Sequence, residues 1–106
     1  QADQAHEVYR TLVKLSKSAC LRADRQIRMA RELDALGDGV TALAAWCAMV
    51  AVHPTHPQTP HALLRCGELY SQMGRDDWAK SCYDALIKRY PNSDATPTAH
   101  ARLRGQ

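Results

Sequence analysis

Three histidines, three prolines and a cysteine crowd into HPTHPQTPHALLRC, residues 53–66. His53, His56 and His61 could converge on zinc, because imidazole nitrogens bind it well and a loop can aim them at one point. Three arginines carry a second kind of chemistry. Arg28, Arg65 and Arg102 stand 37 residues apart, and guanidinium groups pair bidentately with carboxylates. Repeated on stacked helices, they would form a ladder suited to an acidic partner segment. The plainer alternatives are a solvated face or pairing with neighbouring Asp and Glu. Catalysis needs a nucleophile with a base, or converging acids. Ser16 and Ser18 lie near Cys20, but no strand or glycine elbow accompanies them. Asp24, Asp76 and Asp77 stand where helices start, and there carboxylates cap and complement the helix dipole. No catalytic residue and no cofactor are expected.

The four cysteines, Cys20, Cys47, Cys66 and Cys82, include no C-x-x-C pair, so neither a zinc ribbon nor a redox motif is signalled. Each sits in or beside an apolar helical pattern and reads as a small buried hydrophobe. Free thiols favour a reducing compartment. That places the chain in the cytoplasm or in a cytoplasmic domain of a membrane protein, with the periplasm as the alternative. The longest apolar run, residues 40–52, is too short to span a bilayer, so no direct membrane insertion is expected. No signal peptide is visible, and a chain opening on Gln1 rather than Met reads as an excised or processed piece. A net charge of +3 is only mildly basic. Without a denser Lys/Arg patch, nucleic acid is not an expected partner. A length of 106 residues with 45% hydrophobic and 24% charged side chains suits one globular domain.

The elements that must position these residues emerge from an internal repeat. AHEVYRTLVKLSK (5–17), ALAAWCAMVAVHP (42–54) and AKSCYDALIKRYP (79–91) align at a 37-residue offset. Each starts with alanine and carries an aromatic four residues on: Tyr9, Trp46 and Tyr83. Apolar pairs follow at helical spacing: Leu12 and Val13, Met49 and Val50, Leu86 and Ile87. The preceding segments, 24–38 and 61–75, also align, and both close on glycine, Gly37 and Gly74. Glycine there suits the left-handed position that ends a helix. No sustained alternation of period two suggests a strand.

The joint after each second helix repeats as well. Pro54, Thr59, Pro60, Ala62 and Arg65 match Pro91, Thr96, Pro97, Ala99 and Arg102, whereas the three histidines match Tyr90, Ser93 and Thr98. Thr-Pro reads as a helix N-cap followed by proline at the first helical position. The histidines are the variable part, so no native metal site is expected.

The second unit resembles a tetratricopeptide repeat. Counting from Gly67, the residues Tyr70, Gly74, Ala79, Tyr83 and Pro91 fall at that family's spacing, with Leu63 in the usual tryptophan position and Leu86 in place of a small residue. The first unit matches less closely, through Ala30, Leu33, Gly37, Ala42, Trp46 and Pro54. The 37-residue spacing exceeds the family's usual 34. The longer joint and proline-led tail look like bacterial periplasmic repeats of this type. The resemblance implies an all-α fold, antiparallel helical-hairpin repeats stacked as a short right-handed α-solenoid. Its expected parts are the second helix of a partial repeat (1–18), repeat 1 (19–54), repeat 2 (60–91) and a C-terminal capping helix (96–106).

It also implies a protein-interaction module, not an enzyme, that binds a peptide or partner helix in a groove lined by the first helices. Arg31, Glu68, Ser71 and Gln72 would join the three arginines on that surface. The family's clamp for a terminal carboxylate is absent: its positions hold Ile27 and Arg31, then Leu64 and Glu68. A structural role in self-association, as a homodimer through residues 40–52 or the open C-terminal end, is the competing expectation.

Overall fold

The protein is seen in a computed structural model that describes residues 23–105. Five α-helices occupy them: α1 Ala23–Ala35, α2 Gly39–Val52, α3 Thr59–Gln72, α4 Asp76–Arg89 and α5 Thr96–Gly105. No strand occurs among the described residues, so the chain is all-α, built from hairpins of consecutive helices. It divides into two compact units, Gln1–Thr59 and Pro60–Gln106. The helix expected over residues 5–17, with Tyr9 and its apolar pair, lies outside the described residues, as does Cys20.

In the first unit α1 packs along α2. The helix α1 buries Gln26, Ile27 and Ala30 and turns Arg25, Arg28, Arg31 and Glu32 to solvent. Its partner α2 has no charged residue and buries every position from Ala42 to Trp46, together with Ala48 and Met49. Successive helical residues are about 100° apart, so five buried in a row cover the whole circumference. Full burial of a leucine or methionine such as Leu43 or Met49 contributes about 2 kcal/mol each. The ring of Trp46 reaches back across the hairpin, where Nε1 donates to Asp34 Oδ2 at 2.7 Å.

The turn between these helices is set by Gly37, whose φ of 77° is cheap only without a Cβ. Asp38 N then donates to Leu33 O at 3.1 Å, closing α1. Asp38 also opens α2, its Oδ1 accepting from Thr41 N at 3.2 Å. The α3–α4 turn of the second unit repeats the closure: Gly74 has the same φ of 77°, and Arg75 N donates to Tyr70 O at 2.9 Å. Arginine cannot accept a hydrogen bond, and α4 has no side-chain cap. It relies instead on Asp76 and Asp77 in its first turn, where acidic charge complements the helix dipole.

The second unit is centred on Tyr83 of α4, which is 1% exposed. Gly67 of α3 makes room for it: a Cβ at that position would lie 2.5 Å from Tyr83 Cε1. Leu63, Cys66 and Leu69 from α3, and Leu86 from α4, are buried with it. The last helix, α5, packs on α4 and buries Thr96 and Ala99.

Candidate functional site

The histidine-rich joint is assembled by hydrogen bonds that recur 37 residues later. His53 N donates to Met49 O, His56 N to His53 O and Thr59 N to His56 O; Tyr90, Ser93 and Thr96 make the equivalent bonds to Leu86, Tyr90 and Ser93. Thr59 Oγ1 donates to His53 O, as Thr96 Oγ1 does to Tyr90 O. These threonines therefore bind back to the preceding helix end and are not N-cap acceptors, a correction to the sequence expectation. The side chain that accepts lies three residues earlier. His56 Nδ1 accepts from Gln58 N at 3.0 Å, and Ser93 Oγ accepts from Ala95 N at 3.1 Å.

His56 thus fills the role of a serine, so the histidine that varies still performs the repeated task. Imidazole and hydroxyl share an acceptor placed two or three bonds from Cα, and that equivalence is invisible to residue-by-residue alignment. His61 is exposed on α3, and His53 is half-buried. Among the described residues, no group of three or more His, Cys, Asp or Glu is placed to hold a metal ion.

The seven residues expected to contact a partner fall into two sets. In the second unit Arg65 and Glu68 come from α3 and Arg102 from α5. Arg65 Nη1 donates to Glu68 Oε1 at 3.3 Å. Arg102 donates to the other oxygen, Oε2, from Nη2 at 2.7 Å and from Nε at 3.3 Å. Two guanidinium groups therefore share one carboxylate, and this pairing ties α5 to α3. The hydrogen bond to Glu68, and then its charge, raises the Arg102 pKa above the ordinary guanidinium value. Ser71 is half-buried and Gln72 exposed, both in the last turn of α3.

In the first unit Arg28 and Arg31 line an open groove of about 550 Å³ with Asp24, Glu32, His56 and Gln58, over the buried Ile27. Two arginines and two carboxylates line it together.

Tyr83 is a neighbour of the α3–α5 cluster that the sequence offered only as the aromatic of its repeat. Its hydroxyl is buried without a hydrogen-bond partner. Burial first, then the charge of Glu68, pushes the phenol pKa up, with Arg102 pulling the other way. The corresponding aromatic of the first unit, Trp46, spends its donor on Asp34; the residue 37 positions on from Asp34 is Ser71. The offset that matched the aromatics could have raised the question of where each donor goes.

The remaining polar and thiol groups are structural in setting. Cys66 is buried, and Cys47 and Cys82 are half-buried. No helix among the described residues is long and apolar enough to cross a membrane.

No curated protein matches the chain. A family model described as Tetratricopeptide repeat matches residues 61–93, the stretch that holds α3, its glycine turn and α4. Repeats of this family generally serve protein–protein interaction and are not enzymes. The Gly67–Tyr83 approach, the left-handed Gly74 and the hairpin they join are the physical content of that match, and residues 61–93 of this chain are similar to a tetratricopeptide repeat.

Proposed function

We propose that the chain is a protein-binding module that holds a peptide or partner helix against α1, α3 and α5. Arg28, Arg31, Arg65, Glu68, Ser71, Gln72 and Arg102 are its contact residues. The observation that carries this reading is the cluster on α3 and α5, where two guanidinium groups from different helices meet one carboxylate at the surface. The guanidinium of Arg102, 47% exposed, suits a partner with acidic side chains. The basic charge elsewhere is interspersed with acids, as at Asp24, Arg28, Arg31 and Glu32, which favours a protein over the continuous phosphate chain of a nucleic acid.

Affinity capture tests the proposal. Immobilised protein should retain a partner that can be identified and purified. The Arg28→Glu/Arg65→Glu/Arg102→Glu protein, shown to be folded by circular dichroism, should not retain it. Equal retention by both would overturn the assignment of the arginines.

A further inference from the structure

The resident partner of Arg65 and Arg102 is Glu68, and its bonding is incomplete in a specific way. A guanidinium group pairs best with a carboxylate through two parallel bonds to two oxygens. Arg102 instead spends Nε and Nη2 on the single oxygen Oε2. The other oxygen, Oε1, is taken by Arg65 at 3.3 Å, which is long for a charge-assisted bond. Glu68 is shared between two cations, and Arg102 is left without a two-oxygen fork.

Arg65 and Arg102 have no acceptor atoms, and the Tyr83 hydroxyl is buried with no partner. The Arg102 side chain is 47% exposed, so a second carboxylate can reach it. The repeat register adds an independent contrast: the position of Glu68 in α3 is held by Arg31 in α1. An acid there is therefore not required to build the hairpin.

Resting on the reading of the chain as a binding module, we infer that Glu68 is an internal stand-in for a partner's carboxylate. In the unbound chain it occupies the Arg65–Arg102 pair, and an aspartate or glutamate of an acidic peptide displaces it from Arg102. Arg102 then gains a two-oxygen fork, and Glu68 keeps its contact with Arg65 within α3. Glu68 thereby sets the threshold of acidity a partner must exceed, because a weakly acidic segment cannot outcompete a carboxylate tethered on the same unit.

The test uses fluorescein-labelled hexaglutamate as the probe, with hexaserine as the uncharged control, read by fluorescence anisotropy. Glu68→Gln keeps shape and removes the competing charge. It should bind hexaglutamate about tenfold more tightly than the wild-type protein, the worth of one charge-assisted pairing. Glu68→Gln/Arg102→Ala should lose that gain. A Glu68→Gln protein that binds no more tightly than wild type, or a double variant that keeps the gain, would overturn the exchange.

A second readout needs no substitution. In nitrogen-resolved NMR spectra of the wild-type protein, the Arg102 Nε–H signal should shift saturably as hexaglutamate is added, and an unmoved signal overturns the inference. Capture of a purified partner by the wild-type and triply charge-reversed proteins reads the module itself. An exchange that fails while capture remains arginine-dependent removes only the role of Glu68.

Discussion

Gly67 and Tyr83 pose a contest between two effects that can be sized. In a helix interior alanine is favoured over glycine by about 1 kcal/mol. Against that, a methyl group at residue 67 would lie 2.5 Å from a ring carbon of Tyr83, whose ring is enclosed on all sides. Overpacking of this kind costs about 1–3 kcal/mol, so the clash wins. Gly67→Ala should lower the unfolding free energy measured in urea, by about 1 kcal/mol net.

Tyr83→Phe removes a hydroxyl that has no acceptor, and its stability at neutral pH should match or exceed that of the wild type. The raised phenol pKa fixes a second consequence. The folded chain keeps a proton that the unfolded chain releases near pH 10, so the stability tied to it is present below that range and falls as pH rises through it. The Tyr83→Phe protein should show a shallower alkaline loss in thermal melts recorded from pH 8 to 11. Sequence spacing could place Gly67 opposite the aromatic. It could not show the stranded hydroxyl, because that depends on whether a side chain across the hairpin reaches it, as Asp34 reaches Trp46 and nothing reaches Tyr83.

The proline joints show what survives of the repeat at the scale of elements. Each is held by a threonine hydroxyl donating to the carbonyl six residues back, and Thr59 and Thr96 are both buried. Valine keeps the shape but removes one of the two donors to that carbonyl, leaving only His56 N on His53 O and Ser93 N on Tyr90 O. Thr59→Val and Thr96→Val should each cost about 1 kcal/mol. With no shared partners, the double variant should cost their sum in chemical denaturation, and a cost near zero for both would show that the hydroxyls are idle.

The helices α1 to α5, their glycine turns and their proline joints were legible because composition repeats at those places. The role of Thr59 was misread because Thr-Pro before a helix is the commoner signature of an N-cap. That of His56 was missed because a histidine and a serine share nothing in sequence except the acceptor each offers. Arg65 and Arg102 were legible as a repeated pair, but the carboxylate between them was not. Glu68 breaks the register, and only the fold shows that its two oxygens serve two helices.

For the molecule as a whole, the competing expectation was self-association through the apolar helix over residues 40–52 or through the open C-terminal end. The corresponding α2 buries five successive positions, so most of its apolar surface is already taken up within the chain. The large hydrophobic residues that are exposed among the described ones are Leu36 and Trp78, too few for a stable dimer interface. Light scattering over a wide concentration range should therefore report a constant monomer mass, and a mass that doubles with concentration would restore the dimer.

Partner binding through the arginines is the claim on which the functional reading stands. Its most direct measurement is the affinity of the captured and purified partner for wild-type protein and for the Arg28→Glu/Arg65→Glu/Arg102→Glu variant. Both must show the same helical circular dichroism. Reversing three charges that face acidic side chains should weaken binding by about a hundredfold or more, and equal affinities for the two proteins would contradict the claim.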